Sequence, residues 1–177
     1  MAVLAFWCAQ RWNTWFGNPA EPAYASLAQP ARIQLTFGNA GERSRNITWQ
    51  CGSRLLPAGI AYFEKGKNDT LRVPAEGRVL HTAGGTTVVY RAALNDLTAG
   101  EYRYAVRAGE GQSAWYDFTV AGNGDFSFIY LGDIQDTVGG VMRHFVDSIR
   151  HWQPPADFWL LGGDVVERPH DRYWNEY

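Results

Sequence analysis

Phe126-Ser-Phe-Ile-Tyr-Leu-Gly-Asp133-Ile-Gln135, followed further on by Phe158-Trp-Leu-Leu-Gly-Gly-Asp164, gives two apolar, strand-like runs that each end in glycine and then aspartate. Between them lies a segment with the length and pattern of a crossover helix. In a parallel β-α-β unit both strands point the same way, so both carboxylates emerge at the carboxyl edge of the sheet, where open α/β sheets bind ligands. Each preceding glycine lets the backbone turn sharply and leaves room beside the carboxylate. Asp133, Asp164 and Gln135 are then hard oxygen donors suited to divalent metal ions. The plainer alternative is that each aspartate only starts a turn or caps a helix.

The intervening helix is read from its period. Val141, Phe145, Ile149 and Trp152 recur at steps of four, four and three, with Met142 beside them, while Arg143, Asp147, Ser148 and Arg150 fall on the other side. Pro154 and Pro155 stop it, and residues 156–161 restart as a strand. A right-handed crossover places the second strand beside the first. Phe128, Tyr130, Phe145, Trp152 and Trp159 are expected to form the small core of this unit.

These residues resemble a family. Gly-Asp-Ile-Gln at 132–135 and Gly-Gly-Asp-Val-Val-Glu at 162–167 are similar to the first two signature blocks of calcineurin-like metallophosphoesterases, Asp-x-His (or Gln) and then Gly-Asp-x-x-Asp (or Glu). The resemblance implies a phosphoester substrate and two divalent metal ions (manganese, zinc or iron). It implies that Asp133 and Gln135 hold the first metal, that Asp164 bridges both, and that Glu167 supports the site from behind.

Upstream, residues 31–121 read as short strands separated by turn clusters: 32–37, 46–51, 59–64, 87–94, 101–107 and 114–120, the pattern of a β-sandwich. Tyr102, Tyr104 and Val106 alternate with Arg103, Ala105 and Arg107, which gives one buried face. Leu94, Leu97, Gly100 and Tyr102 have the spacing of a fibronectin type III tyrosine corner, in which the phenol hydroxyl bonds back to the turn. Trp49 is expected in the same core. The block resembles the amino-terminal domain of purple acid phosphatases, which directly precedes their catalytic domain. The expected fold is therefore mainly β, a fibronectin type III-like sandwich at 31–121 followed at 125–177 by the first β-α-β unit of a metallophosphoesterase domain, with 1–30 as leader and linker.

Two departures shape the expectation. Purple acid phosphatases carry Gly-Asp-x-Gly and then Gly-Asp-x-x-Tyr, the tyrosine being an iron ligand; Gln135 and Glu167 stand at those places here. A generic dinuclear site is expected in place of an iron-tyrosinate centre. The family also needs a later Gly-Asn-His block and further histidine segments for the second metal and the leaving-group acid, and these do not occur before Tyr177. The chain is accordingly expected to be incomplete within its catalytic domain and inactive alone, with an open sheet edge through which it could self-associate. Such sandwiches also serve as secreted binding or adhesion modules, which is the alternative from another class. A haloacid-dehalogenase-type phosphatase would need a second aspartate where Gln135 stands.

A net charge of −2 gives no electrostatic case for nucleic acid. No apolar run is long enough to span a membrane. The start, Met1-Ala-Val-Leu-Ala-Phe-Trp-Cys-Ala, resembles the tail of an export signal or anchor, which points to a secreted, periplasmic or membrane-anchored extracytoplasmic protein. Leu4, Cys8, Trp12, Trp15 and Phe16 share one helical face, expected to pack on the folded domains, with a membrane interface as the alternative. Cys8 and Cys51 are expected as independent thiols. Asn46-Ile-Thr and Asn68-Asp-Thr are glycosylation sequons. His170, between Pro169 and Asp171, is expected in a surface turn rather than on a metal.

Overall fold

Burial with a period of two organises the middle of the chain. On the strand at 45–50, Arg45, Ile47 and Trp49 are buried and the residues between them are only half-buried. On the strand at 100–108, Tyr102, Tyr104 and Val106 face inward while Arg107 is exposed. Both are signatures of strands with one face on a core. A computed structural model of the chain describes residues 2–16, 27–67, 69–82, 85–122, 124–151, 156–168 and 170–175.

Helix α1 (Ala2–Phe16) precedes the sandwich. The sandwich strands are β1 (Ala31–Phe37), β2 (Arg45–Gln50), β3 (Ala58–Glu64), β4 (Leu71–Pro74), β5 (Glu76–Thr82), β6 (Gly85–Leu94), β7 (Gly100–Ala108), β8 (Gly111–Gln112) and β9 (Tyr116–Val120). One sheet runs β1-β2-β6-β5 and the other runs β4-β3-β7, whose far edge is a strand broken into β8 and β9. All these pairings are antiparallel. The inner faces meet in one cluster that includes Ile47, Trp49, Ile60, Val88, Tyr90, Leu94, Tyr102, Tyr104 and Val106. Trp49 lies flat against Tyr90 with centroids 5.6 Å apart, and Phe118 of β9 stacks on Tyr102 at 5.1 Å. Such ring pairs add to what area burial alone contributes.

The tyrosine corner forms as its spacing predicts. The Tyr102 hydroxyl accepts from the Thr98 backbone N–H at 3.1 Å and donates to the Thr98 carbonyl at 3.0 Å. Tyr102 is 4% exposed, so its loss leaves turn groups short of partners. Tyr102→Phe is expected to lower stability by about 1–3 kcal/mol, read as a lower urea midpoint at unchanged slope; an unchanged midpoint would show the corner to be incidental. Arg45 holds the sheets together from inside: it donates to Glu42 O at 2.7 Å and Ser44 O at 2.9 Å, and reaches Thr119 O of β9 at 3.3 Å.

Strands β4, β5 and β8 are additions to the sequence reading. Nearly every side chain of β5 is exposed, so no alternation marks it. Its Gly77 is required, because a Cβ there would come within 2.7 Å of the Tyr90 ring.

Beyond the sandwich, β10 (Phe128–Leu131) and β11 (Phe158–Leu161) pair in parallel, Phe128 opposite Phe158 and Leu131 opposite Leu161. Helix α2 (Val141–Arg150) connects them and α3 (Asp171–Trp174) follows. The expected β-α-β order is present. Three details differ from expectation. Phe128, Tyr130 and Phe145 are not buried, at 50%, 60% and 48% exposure. Val141 is 77% exposed; the half-buried residues of α2 are Met142, Val146 and Ile149, and exposed Arg143, Asp147 and Arg150 line a cleft beside Val146. Two strands present little apolar area to a helix, and Arg32 and Gln34 of β1 stand across the resulting cleft of about 620 Å³. Trp152, Pro154, Pro155, Pro169 and Asn68 lie outside the described residues.

The two parts touch at both faces of the small sheet. Phe37 of β1 meets Phe158 edge-on at 5.1 Å, and Phe158 stacks on Phe128 at 5.3 Å. Arg32 pairs with Asp171 of α3 and also donates to Gln50 Oε1 at 3.3 Å. Arg32 itself sits at φ 52 in the bulge of β1 between Ala31 and Gln34, a backbone conformation uncommon for a residue of its size. Both cysteines are free. Burial pushes the Cys51 thiol pKa up.

Candidate metal centre

The ladder between β10 and β11 continues past both strands. Gly162 N–H donates to Leu131 O at 2.7 Å, and Asp133 N–H donates to Gly163 O at 3.2 Å. From the register of Leu131 with Leu161, Asp133 stands level with Gly163, and Asp164 follows one residue later. Neighbouring strands are separated by about 4.8 Å, so the two aspartates leave one sheet edge side by side. Both carboxylates are on exposed residues, whereas Ile134, which follows the first, is 3% exposed.

Each aspartate holds a left-handed backbone, φ 53 at Asp133 and φ 45 at Asp164. Short polar side chains tolerate this conformation better than others do. Such outliers cluster at functional sites, where the surrounding structure holds them in place. The glycines have a concrete role. A Cβ at Gly162 would fall 2.1 Å from the Tyr130 hydroxyl, and one at Gly132 would fall 3.2 Å from it. The room the glycines leave is thus filled by the Tyr130 phenol, which lies beside both Gly132 and Gly162. Sequence reasoning placed Tyr130 in the small core of this unit, not at this edge; the paired glycines were the signal for its position here.

Gln135 is half-buried two residues beyond Asp133, and Glu167 is exposed three residues beyond Asp164. Among the described residues no three His, Cys, Asp or Glu side chains gather closely enough to hold a metal ion, so Glu167 does not join the two aspartates. His170 stands at the amino-terminal cap position of α3 without a side-chain capping bond.

Helix capping falls to another residue. Asp136 accepts from the Thr137 N–H at 2.7 Å and from the Met142 N–H at 3.2 Å, taking over from Gly140, which offers no side chain at the cap position. A Cβ at Gly140 would collide with that carboxylate at 2.2 Å. Asp133 is therefore free of the capping role that would otherwise explain an aspartate here. The Met142 and Thr137 amides hold the Asp136 carboxyl below the usual range. A depressed carboxyl stabilises the fold above its unfolded pKa and loses that effect as pH falls through its folded value. The Met142 amide is expected to be protected from hydrogen exchange at neutral pH and to lose protection only below about pH 4. In Asp136→Ala it should exchange rapidly at every pH; protection that survives in this variant would remove Asp136 from the cap.

The purple acid phosphatase N-terminal domain family model matches residues 30–120, just over half of the 177-residue chain. The chain belongs to this family. The phosphatase-type sandwich thus ends immediately before the strand pair that carries Asp133 and Asp164. A solved structure described as "Myokine structure" is 17% identical, over 55% of this chain and 100% of that chain, with a TM-score of 0.36. No curated protein matches the chain. The family of the sandwich points to phosphatases.

Two carboxylates and an amide oxygen suit a hard cation in kind. In number they fall short of the roughly four to six ligands that zinc or manganese takes, and water or further groups must complete the shell.

Proposed function

We propose that this chain supplies the amino-terminal sandwich and the first metal-holding edge of a metal-dependent phosphoric ester hydrolase. The observation that carries the proposal is the pair of left-handed aspartates, Asp133 and Asp164, side by side at the carboxyl edge of two parallel strands. The sandwich family supports it, because this edge follows directly on a phosphatase-type domain.

Asp133 and Asp164 would hold one divalent ion between them, and the amide oxygen of Gln135 would turn toward it from the half-buried side. A divalent ion there supplies Lewis acidity toward phosphoryl oxygens. The protein's own part is to keep the carboxylates adjacent and facing solvent. The backbone bond from Asp133 to Gly163 fixes their relative height. Ile134 and Leu131, both buried, anchor the loop beneath. Tyr130 places a hydroxyl beside the two glycines that precede this edge. Glu167 acts from further out, as an orienting group. Manganese titration of the full chain, with and without inorganic phosphate, tests the proposal; a manganese affinity indifferent to Asp133→Asn and Asp164→Asn refutes it.

A further inference from the structure

We propose that the cleft between the sandwich and the β-α-β unit is a binding site for a small amphipathic anion, an apolar body carrying one carboxylate or phosphate head. The cleft measures about 620 Å³, within the range of small-molecule sites. Its walls differ in chemistry. The strands β10 and β11, with the loops that follow them, contribute an apolar side: Leu131 and Ile134 are buried, Trp159 and Val165 half-buried, and Leu161 exposed. Helix α2 contributes Arg143, Asp147 and Arg150, at steps of four and three that align along one side of a helix. β1 brings Arg32 and Gln34. Asp133 and Asp164 are not among the described residues that line the cleft, so it is separate from the metal edge.

That distribution selects the ligand. Water solvates the charged wall well and the apolar wall poorly. A wholly apolar ligand would do the reverse, stripping water from guanidiniums that need it. A ligand with both parts suits both walls. The sign of its charge follows from the residues present. Arg32, Arg143 and Arg150 bring three positive charges to the wall, and Asp147 one negative. Asp171, outside the wall, pairs with Arg32, which leaves one positive charge in excess. Asp147 and Arg150 are 3.7 Å apart and both largely exposed, and an exposed pair of that kind holds its partners weakly. A guanidinium presents a planar fork of donors that matches a carboxylate or a phosphate. The apolar side chains of α1 compete for any apolar probe: Leu4 is 63% exposed and Trp12 59%, contrary to the expectation that this stripe packs on the folded parts.

The test is calorimetric titration of the full chain, without added metal, with decanoate, decyl phosphate and decyltrimethylammonium. One anion per chain is expected, with a dissociation constant on the order of 10⁻⁵–10⁻⁴ M, and the cation should bind at least about tenfold more weakly. Tighter binding of decyl phosphate assigns a phosphate monoester head, and tighter binding of decanoate a free carboxylate. Arg143→Gln with Arg150→Gln should weaken the anion about tenfold. Both residues are exposed, so the far-ultraviolet circular dichroism should be unchanged in that variant. A second measurement needs no substitution: in nitrogen–proton spectra of the full chain, the indole signals of Trp159 and Trp174, which line the cleft, should move on titration, and those of Trp7 and Trp12 on α1 should not. Four results would each overturn the proposal: no saturable binding of either anion, equal binding of the cation, an affinity indifferent to the arginine variant, or shifts confined to Trp7 and Trp12.

Discussion

Trp49→Ala is expected to lower the stability of the sandwich by about 3–5 kcal/mol, enough to leave many domains of this size largely unfolded. Trp49 is 1% exposed and lies flat on Tyr90 between the two sheets, so the cavity left by its removal has rigid walls on both sides. Trp49→Phe separates packing from polarity. The indole Nε1 is buried and has no hydrogen-bond partner among the described residues, and an unpaired buried donor is itself unfavourable by about 1–3 kcal/mol. Phenylalanine gives up part of the ring but removes that donor, and the net loss should stay below about 1.5 kcal/mol. Urea unfolding of the two variants checks both figures. If alanine costs under about 1 kcal/mol, the centre of the core lies elsewhere; if phenylalanine costs as much as alanine, the indole nitrogen has a partner.

The sandwich was legible in the sequence wherever one face of a strand is buried. β2, β6 and β7 show it through alternation, and the tyrosine corner through the spacing of Leu97, Gly100 and Tyr102. Where both faces meet solvent the signal vanishes. β4 and β5 are such edges, and Gly77 in β5 admits the Tyr90 ring. The β-α-β order was also legible, as were the two aspartates at the ends of its strands. The cleft that α2 lines was not, because Arg32 and Gln34, which stand across it, lie more than a hundred residues earlier in the chain. The Arg32 to Asp171 ion pair is hidden for the same reason: its sequence separation is 139 residues and it starts from a bulge. Asp136 illustrates a subtler limit. It stands one residue past Gln135 and caps α2 across a turn, a role that only the position of Met142 reveals.

The second large effect concerns the metal. With three oxygen donors and an exposed edge, manganese is expected to bind with a dissociation constant on the order of 10⁻⁴–10⁻³ M, the range of oxygen-donor sites that are not enclosed. Asp133→Asn and Asp164→Asn should each weaken it at least about tenfold, since each removes a full charge from a site with two. Asp117→Asn serves as control, because Asp117 lies on β9, where it pairs with Lys65 at 3.3 Å and Arg103 at 3.1 Å. If the edge recognises a phosphoryl group through the ion, inorganic phosphate should tighten manganese, and manganese should tighten phosphate by the same factor. Calorimetric titration of manganese into the full chain, with and without inorganic phosphate, measures this directly. The account predicts one site, strengthened by phosphate and lost in both aspartate variants but not in the control. Binding that persists in the Asp133→Asn and Asp164→Asn double variant, or that phosphate leaves unchanged, would contradict it.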